Sequence, residues 1–147
     1  MELPANTTHL LLTRAVSLEV VDERVGSVAV PAELSYDQSD PFAVTLSIGG
    51  DDSAVAWTFA RELVSEGLHE PTGDGDVHVW PCLDEHGCAI LLIELSVIDG
   101  EVMLQADPRE IKSFLATTYD AVAPDQESAH LDIDAVISAI LAAEPRP

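Results

Sequence analysis

Positive charge is what this sequence has least of: across 147 residues, 6 Lys and Arg stand against 27 Asp and Glu, a formal net charge of −21. Arg14, Arg24, Arg61, Arg109, Lys112 and Arg146 are scattered along the chain. No basic cluster exists to release counterions from a nucleic acid, so the composition argues against such a partner. Long apolar runs are missing too. The longest, residues 89–93, falls far short of the ~20 residues of a membrane span. The start of the chain lacks the basic residues of a secretory leader, and no lipidation box follows Met1. The expectation is a cytoplasmic protein.

Catalytic motifs are equally scarce. There is no G-x-S-x-G elbow, no Ser-x-x-Lys pair and no glycine-rich phosphate loop. Repeats and low-complexity tracts are absent, and Pro and Gly fall singly at turns, so residues 1–147 are read as one domain with flexible termini at about 1–8 and 144–147. A chain of this length buries roughly 70% of its unfolded surface without metal or disulfide staples. The acids are spread over both halves, which describes a solvated, mutually repelling surface; an acidic docking face is the rival reading.

What is present is alternation. Val16, Leu18 and Val20, then Phe42, Val44, Leu46 and Ile48, then Val55, Trp57 and Phe59 each recur at spacing two, as strands with one apolar face do. A β-rich stretch over residues 27–36 contains Pro31, which lacks an N–H and marks an edge or bulge. The Gly49-Gly50-Asp51-Asp52 turn makes these four strands a meander. Residues 60–66 switch to helix formers, with Gly67 placed to end the helix in a left-handed conformation. Val77 and Val79, the run from Ala89 to Leu95, and Val102, Leu104 and Ala106 give a second meander of three strands.

Two helices are predicted to close the chain. The first has Asp107 as cap, Pro108 at the first helical position and Glu110 completing a capping box, before Ile111, Phe114, Leu115 and Thr118 on one face. The second is capped by Asp132 and carries Ile133, Val136, Ile137, Ile140 and Leu141. The fold class is therefore α+β: antiparallel sheets of about seven strands, one short helix mid-chain and two C-terminal helices.

The densest group of chemical side chains is His78, Cys82, His86 and Cys88. Zinc wants four donors at C-x₂₋₄-C or H-x₃₋₅-H spacing, which this set does not offer, and a disulfide between the two thiols does not suit a cytoplasmic chain. Packing is the reading preferred for both cysteines. A thiol or metal hydrolase around His78, Cys82 and His86 is kept as a rival. Asp74-Gly75-Asp76 reads as a turn and not as a calcium loop, and Asp132 and Asp134 as first-turn acids of a helix. Trp57 with Phe59 reads as core or subunit interface; His9, His69 and His130 are isolated surface or capping histidines. No catalytic, cofactor or metal residue is assigned.

Residues 57–81 carry W-x-F-A-R-E-L at Trp57–Leu63, then Gly67-Leu68, Pro71-Thr72-Gly73, Gly75-Asp76-Val77 and a strand ending at Pro81. This run resembles the signature of the SsgA-like sporulation and cell division family of actinomycetes. Supporting matches are Tyr36-Asp37, Asp40 to Val44, Ser113-Phe114-Leu115 with Thr118, and Leu131 to Asp134, so the resemblance spans about residues 8–143. It implies a Whirly-like fold, a homotrimer and a non-enzymatic adaptor that localises or promotes FtsZ or another septal protein, itself possessing no cofactor. It also implies a position at division septa and leaves another SsgA-like protein as a further partner. Relatives of that fold bind single-stranded nucleic acid, but function does not follow from fold, and the charge supplies no basic groove. Arg61, inside the signature, is expected to pair locally with one of the 27 acids, contact with a partner being the rival reading.

Overall fold

The computed structural model describes residues 10–22, 24, 26–50 and 54–130. The second predicted C-terminal helix, beginning at Asp132, and the two termini expected to be flexible lie outside them. Among the described residues ten strands, β1(Leu11–Ala15), β2(Leu18–Asp22), β3(Gly26–Val30), β4(Ala32–Asp37), β5(Ala43–Ile48), β6(Val55–Ala60), β7(Thr72–Asp74), β8(Val77–Leu83), β9(Ala89–Val97) and β10(Gly100–Ala106), accompany two helices, α1(Arg61–Gly67) and α2(Pro108–Ala121). A 3-10 segment, Pro124–His130, follows α2 where the sequence reads as loop. The α+β class with antiparallel sheets holds; the strand count rises from about seven to ten.

The strands form a four-stranded sheet in the order β1-β4-β5-β6 and a six-stranded sheet in the order β3-β2-β10-β9-β8-β7. The predicted four-strand meander is divided between them. β1 pairs with β4 from Leu11↔Asp37 to Ala15↔Glu33, and β2 pairs with β3 from Leu18↔Val30 to Asp22↔Gly26. The two pairs are thus one long hairpin bent at Val16-Ser17 and Pro31, where both arms pass from one sheet to the other. Proline at the corner removes one ladder donor, while its carbonyl accepts from the Gly49 N–H at 2.9 Å. The second predicted meander, β8-β9-β10, is present, with Trp80 opposite Leu92 and Leu104 opposite Ile93.

Both sheets and both helices contribute to one core. Leu34, Tyr36, Val44, Leu46 and Phe59 come from the first sheet, and Leu18, Val79, Leu91, Ile93, Leu95 and Leu104 from the second. Helix α1 adds Leu63 and Val64, and α2 adds Ile111, Phe114 and Leu115. Each fully buried Leu or Ile of this set stabilises the fold by about 1.5–3 kcal/mol. Trp57 is half-buried against the same core, as its spacing implied.

Local signals explain the helix ends. The Asp107 carboxylate accepts from the Arg109 N–H at 2.9 Å, as an N-cap should. Glu110 does not complete the capping box; it accepts instead from the Ser17 N–H (2.6 Å) and hydroxyl (3.0 Å), tying α2 to the hairpin corner. Gly67 is not left-handed, because α1 ends through Leu68 with φ −67°. The glycine is required for approach: a Cβ there would lie 2.6 Å from the Val79 Cβ and closer still to a methyl.

Candidate functional site

Arg61 opens α1 directly after β6, and its backbone N–H still bonds the Phe42 carbonyl at 2.7 Å. Its side chain is fully buried. One end of the guanidinium donates to the carbonyls of Thr118 (3.1 Å) and Val122 (2.9 Å), at the C-terminus of α2, where unpaired carbonyls and the helix dipole favour a cation. The other end bonds Glu127 of the 3-10 segment at 2.6 Å. The guanidinium carbon lies 4.1 Å from the ring centre of Tyr119 and 5.0 Å from that of Tyr36. Among the described residues the Arg61 Nε has no hydrogen-bond partner. Burial pushes the Tyr36 hydroxyl above its ordinary pKa, with Arg61 opposing, and that hydroxyl donates to the Pro41 carbonyl at 2.9 Å. The expected acid partner of Arg61 is therefore real, though distant in sequence, and the residue binds the signature segment to the end of α2.

A second cation does a related job at the surface. Arg14 on β1 donates to the hydroxyls of Ser113 (2.9 Å) and Thr117 (3.2 Å) and lies 5.9 Å from the Phe114 ring centre. The Arg109 guanidinium and backbone N–H hold the Asp107 carboxyl below the usual carboxylate range. Asp84 is held low by the backbone N–H groups of Cys88 and His86, which it accepts at 2.9 and 2.8 Å to form the β8–β9 turn.

The thiol and imidazole group does not converge. Strand β8 places His78, Trp80 and Cys82 on one face, as the alternation implied. Four residues of extended chain put His78 and Cys82 roughly 13 Å apart, beyond the reach of a base for a nucleophile. The His78 Nδ1 lies 3.9 Å from a Glu94 oxygen, and His86 lies 3.5 Å from Glu85 in the turn. Cys82 is opposite Ile90, not Cys88, and both cysteines are free and exposed, which corrects their reading as packing residues. Among the described residues no three ligating side chains gather as a metal site would require.

Asp74 and Val77 close a two-residue turn through Gly75, whose φ of +64° suits glycine, so this segment is a hairpin turn. Phe59 is buried in the core. His69 is exposed after α1; His9 and the Asp132-Asp134 pair lie outside the described residues. No described helix is long and apolar enough to cross a membrane. Glu127, Thr118 and Tyr119, the partners of Arg61, were not singled out as such from sequence, since nothing local links them to it.

Fold and geometry together define an α+β protein of two packed antiparallel sheets, whose ionisable groups hold elements together. Residues 30–127 match the family described as Streptomyces sporulation and cell division protein, SsgA. The sporulation-specific cell division protein SsgB of Streptomyces coelicolor is 46% identical over 126 residues, covering 85% of this chain and 91% of that protein. Two solved structures are also similar. One, from work on SsgB mutations that correlate to longitudinal cell division during sporulation of S. coelicolor, has a TM-score of 0.77 and 42% identity, covering 84% of this chain and 97% of the other. The second, an SsgA-like sporulation-specific cell division protein of Thermobifida fusca, has a TM-score of 0.81 and 34% identity over 92% of this chain and 98% of the other. The chain belongs to the SsgA family of sporulation and cell division proteins, which is not known as a family of enzymes.

Proposed function

We propose that this protein acts in sporulation-specific cell division as a non-enzymatic, homotrimeric adaptor that localises or promotes FtsZ polymers, or another septal protein, at division septa from the cytoplasmic side. The observation that carries the reading is the likeness to SsgB over nine-tenths of that protein's length, which includes the whole signature. The separation of His78 from Cys82 along β8, with no gathering of three ligating side chains among the described residues, favours surface contact over bond chemistry. Three copies of a weak site on one trimer would hold a polymer that a single copy releases.

Co-sedimentation of the purified protein with FtsZ from its own host, with and without GTP at moderate salt, tests this. Enrichment in the pellet only when polymers form is the expected result. Equal recovery with and without polymer would remove direct recruitment and leave another septal protein as the partner.

A further inference from the structure

The six-stranded sheet has an unusual outer face. Because side chains alternate along each strand, the residues turned away from the core form cross-strand rows: Glu19, Gln105, Leu92 and Trp80 in one, Met103, Glu94 and His78 in the next. An antiparallel sheet with one face in solvent normally sets polar residues there. The four-stranded sheet does so apart from the exposed Leu11 on its edge strand, with Ser35, Thr45, Ser47 and Thr58 outward and the Thr45 and Thr58 hydroxyls bonded at 2.9 Å. The six-stranded sheet instead turns Val21, Trp80, Ile90, Leu92 and Met103 outward.

Val21 is exposed and the other four are partly buried among their sheet neighbours, and neither described helix lies over them. Both helices lie on the other side, since Leu63, Val64, Ile111 and Phe114 pack into the core. Three clefts open on the face, of about 540, 490 and 260 Å³. The second is lined by Val21, Met103, Glu94 and Glu101, and it shares Glu94 with the third, where Trp80 and His78 stand. The first reaches from Glu19 and Ile90 to the α2 N-terminus. The imidazole of His78 lies over Gly73, where a Cβ would meet the ring, so the glycine of the P-x-G motif makes room for His78 at this end of the face.

We infer that this face is the docking surface for a protein segment that is apolar on one side and carries Lys or Arg beside it. The inference rests on the adaptor reading above and gives it a surface. Charge selects the occupant. Glu94 stands within the apolar surface between Met103 and His78, and Glu19 and Glu101 lie beside it; of the cations at its margins, Arg109 is engaged by Asp107 and Arg24 lines the second cleft with Asp22, Glu94 and Glu101. A second copy placed face to face would set these carboxylates against their own counterparts, each copy carrying −21 overall. The chain's own residues 131–147 bring Asp132, Asp134 and Glu144 against a single Arg146. A basic amphipathic segment matches both the apolar surface and the carboxylates within and beside it, and self-assembly then uses another surface.

The test uses the full-length protein and a synthetic peptide of about five helical turns with Leu on one face and Lys on the other. A peptide with Glu in place of Lys is the control. Binding is followed calorimetrically and by tryptophan fluorescence, and every variant is checked by thermal unfolding. The Lys peptide is expected to bind and the Glu peptide not to. Leu92→Ser, or Met103→Gln if the first fails to fold, weakens binding by about tenfold, as loss of a central contact does. Glu94→Gln weakens it less, and Glu33→Gln on the other sheet leaves it unchanged.

Equal losses from Glu94→Gln and Glu33→Gln would mean diffuse charge attraction and overturn the inference. So would an oligomer that Leu92→Ser dissociates, which makes a second copy the occupant. Peptide binding that appears only after Ile133, Ile137 and Ile140 are changed to Ser would identify the chain's own tail instead. FtsZ co-sedimentation unchanged in Leu92→Ser removes this surface and leaves the adaptor; peptide binding without any FtsZ co-sedimentation keeps the surface and removes that partner.

Discussion

Arg61 is held by groups from three separate places in the chain. Its guanidinium bonds Glu127 and two carbonyls at the end of α2, and it lies over the rings of Tyr36 and Tyr119. Arg61→Ala would leave the Glu127 carboxylate and the Thr118 and Val122 carbonyls without their donor, and we expect a loss of about 3–5 kcal/mol in urea unfolding. Arg61→Lys supplies charge but not the planar fork, so it should recover only part of the loss. A loss below about 1 kcal/mol for Arg61→Ala would place this contact with ordinary surface pairs. That Arg61 would find an acid was legible from the abundance of acids in the chain. The identity of that acid was not, since 27 were available and the one used lies 66 residues away.

At the scale of elements, caps and turns were the most legible features and the role of Gly67 the least. Asp107 before Pro108 marked the start of α2 correctly, since both effects act within one turn of chain. Asp107→Ala should cost about 0.5–2 kcal/mol. The carboxyl of Asp107 is lowered first by the Arg109 side chain and then by its backbone N–H. A lowered group stabilises the fold fully above its unfolded value, about 3.9, and loses that contribution as pH falls through the folded value. Asp107→Asn should therefore flatten the decline of stability below about pH 4 in thermal unfolding scans, and an unchanged acid limb would disprove the assignment. Gly67 was misread because a glycine after a helix and a glycine against a strand look alike in sequence. Only the position of Val79 separates the two.

For the whole molecule the governing facts are two sheets joined by a bent hairpin and a surplus of negative charge. Self-association of such chains works against mutual repulsion, which salt screens over about 10 Å at 0.1 M. Sedimentation equilibrium is expected to return a mass near three chains at moderate salt and to move toward single chains as salt is lowered. A single-chain mass at every salt would remove the avidity on which the adaptor reading draws. Three strands were missed, each for its own reason: the stretch 27–36 is divided at Pro31 into β3 and β4, and the other two hide their period. β7 is three residues long, too short to show alternation, and β1 starts in a triple leucine that masks its period of two.

The sequence alone determined the alternating strands, the amphipathic α2 with its cap, the turn at Gly75, and the family signature over residues 57–81. These depend on neighbours within a few positions, where propensity and periodicity act. Tertiary structure decided the passage of one hairpin through both sheets, the joining of Arg61 to Glu127, the exposure of Cys82 and Cys88, and the apolar outer face of the six-stranded sheet. Each of these depends on which distant segments meet, and period two reports that a strand has two faces without reporting which of them another layer will cover.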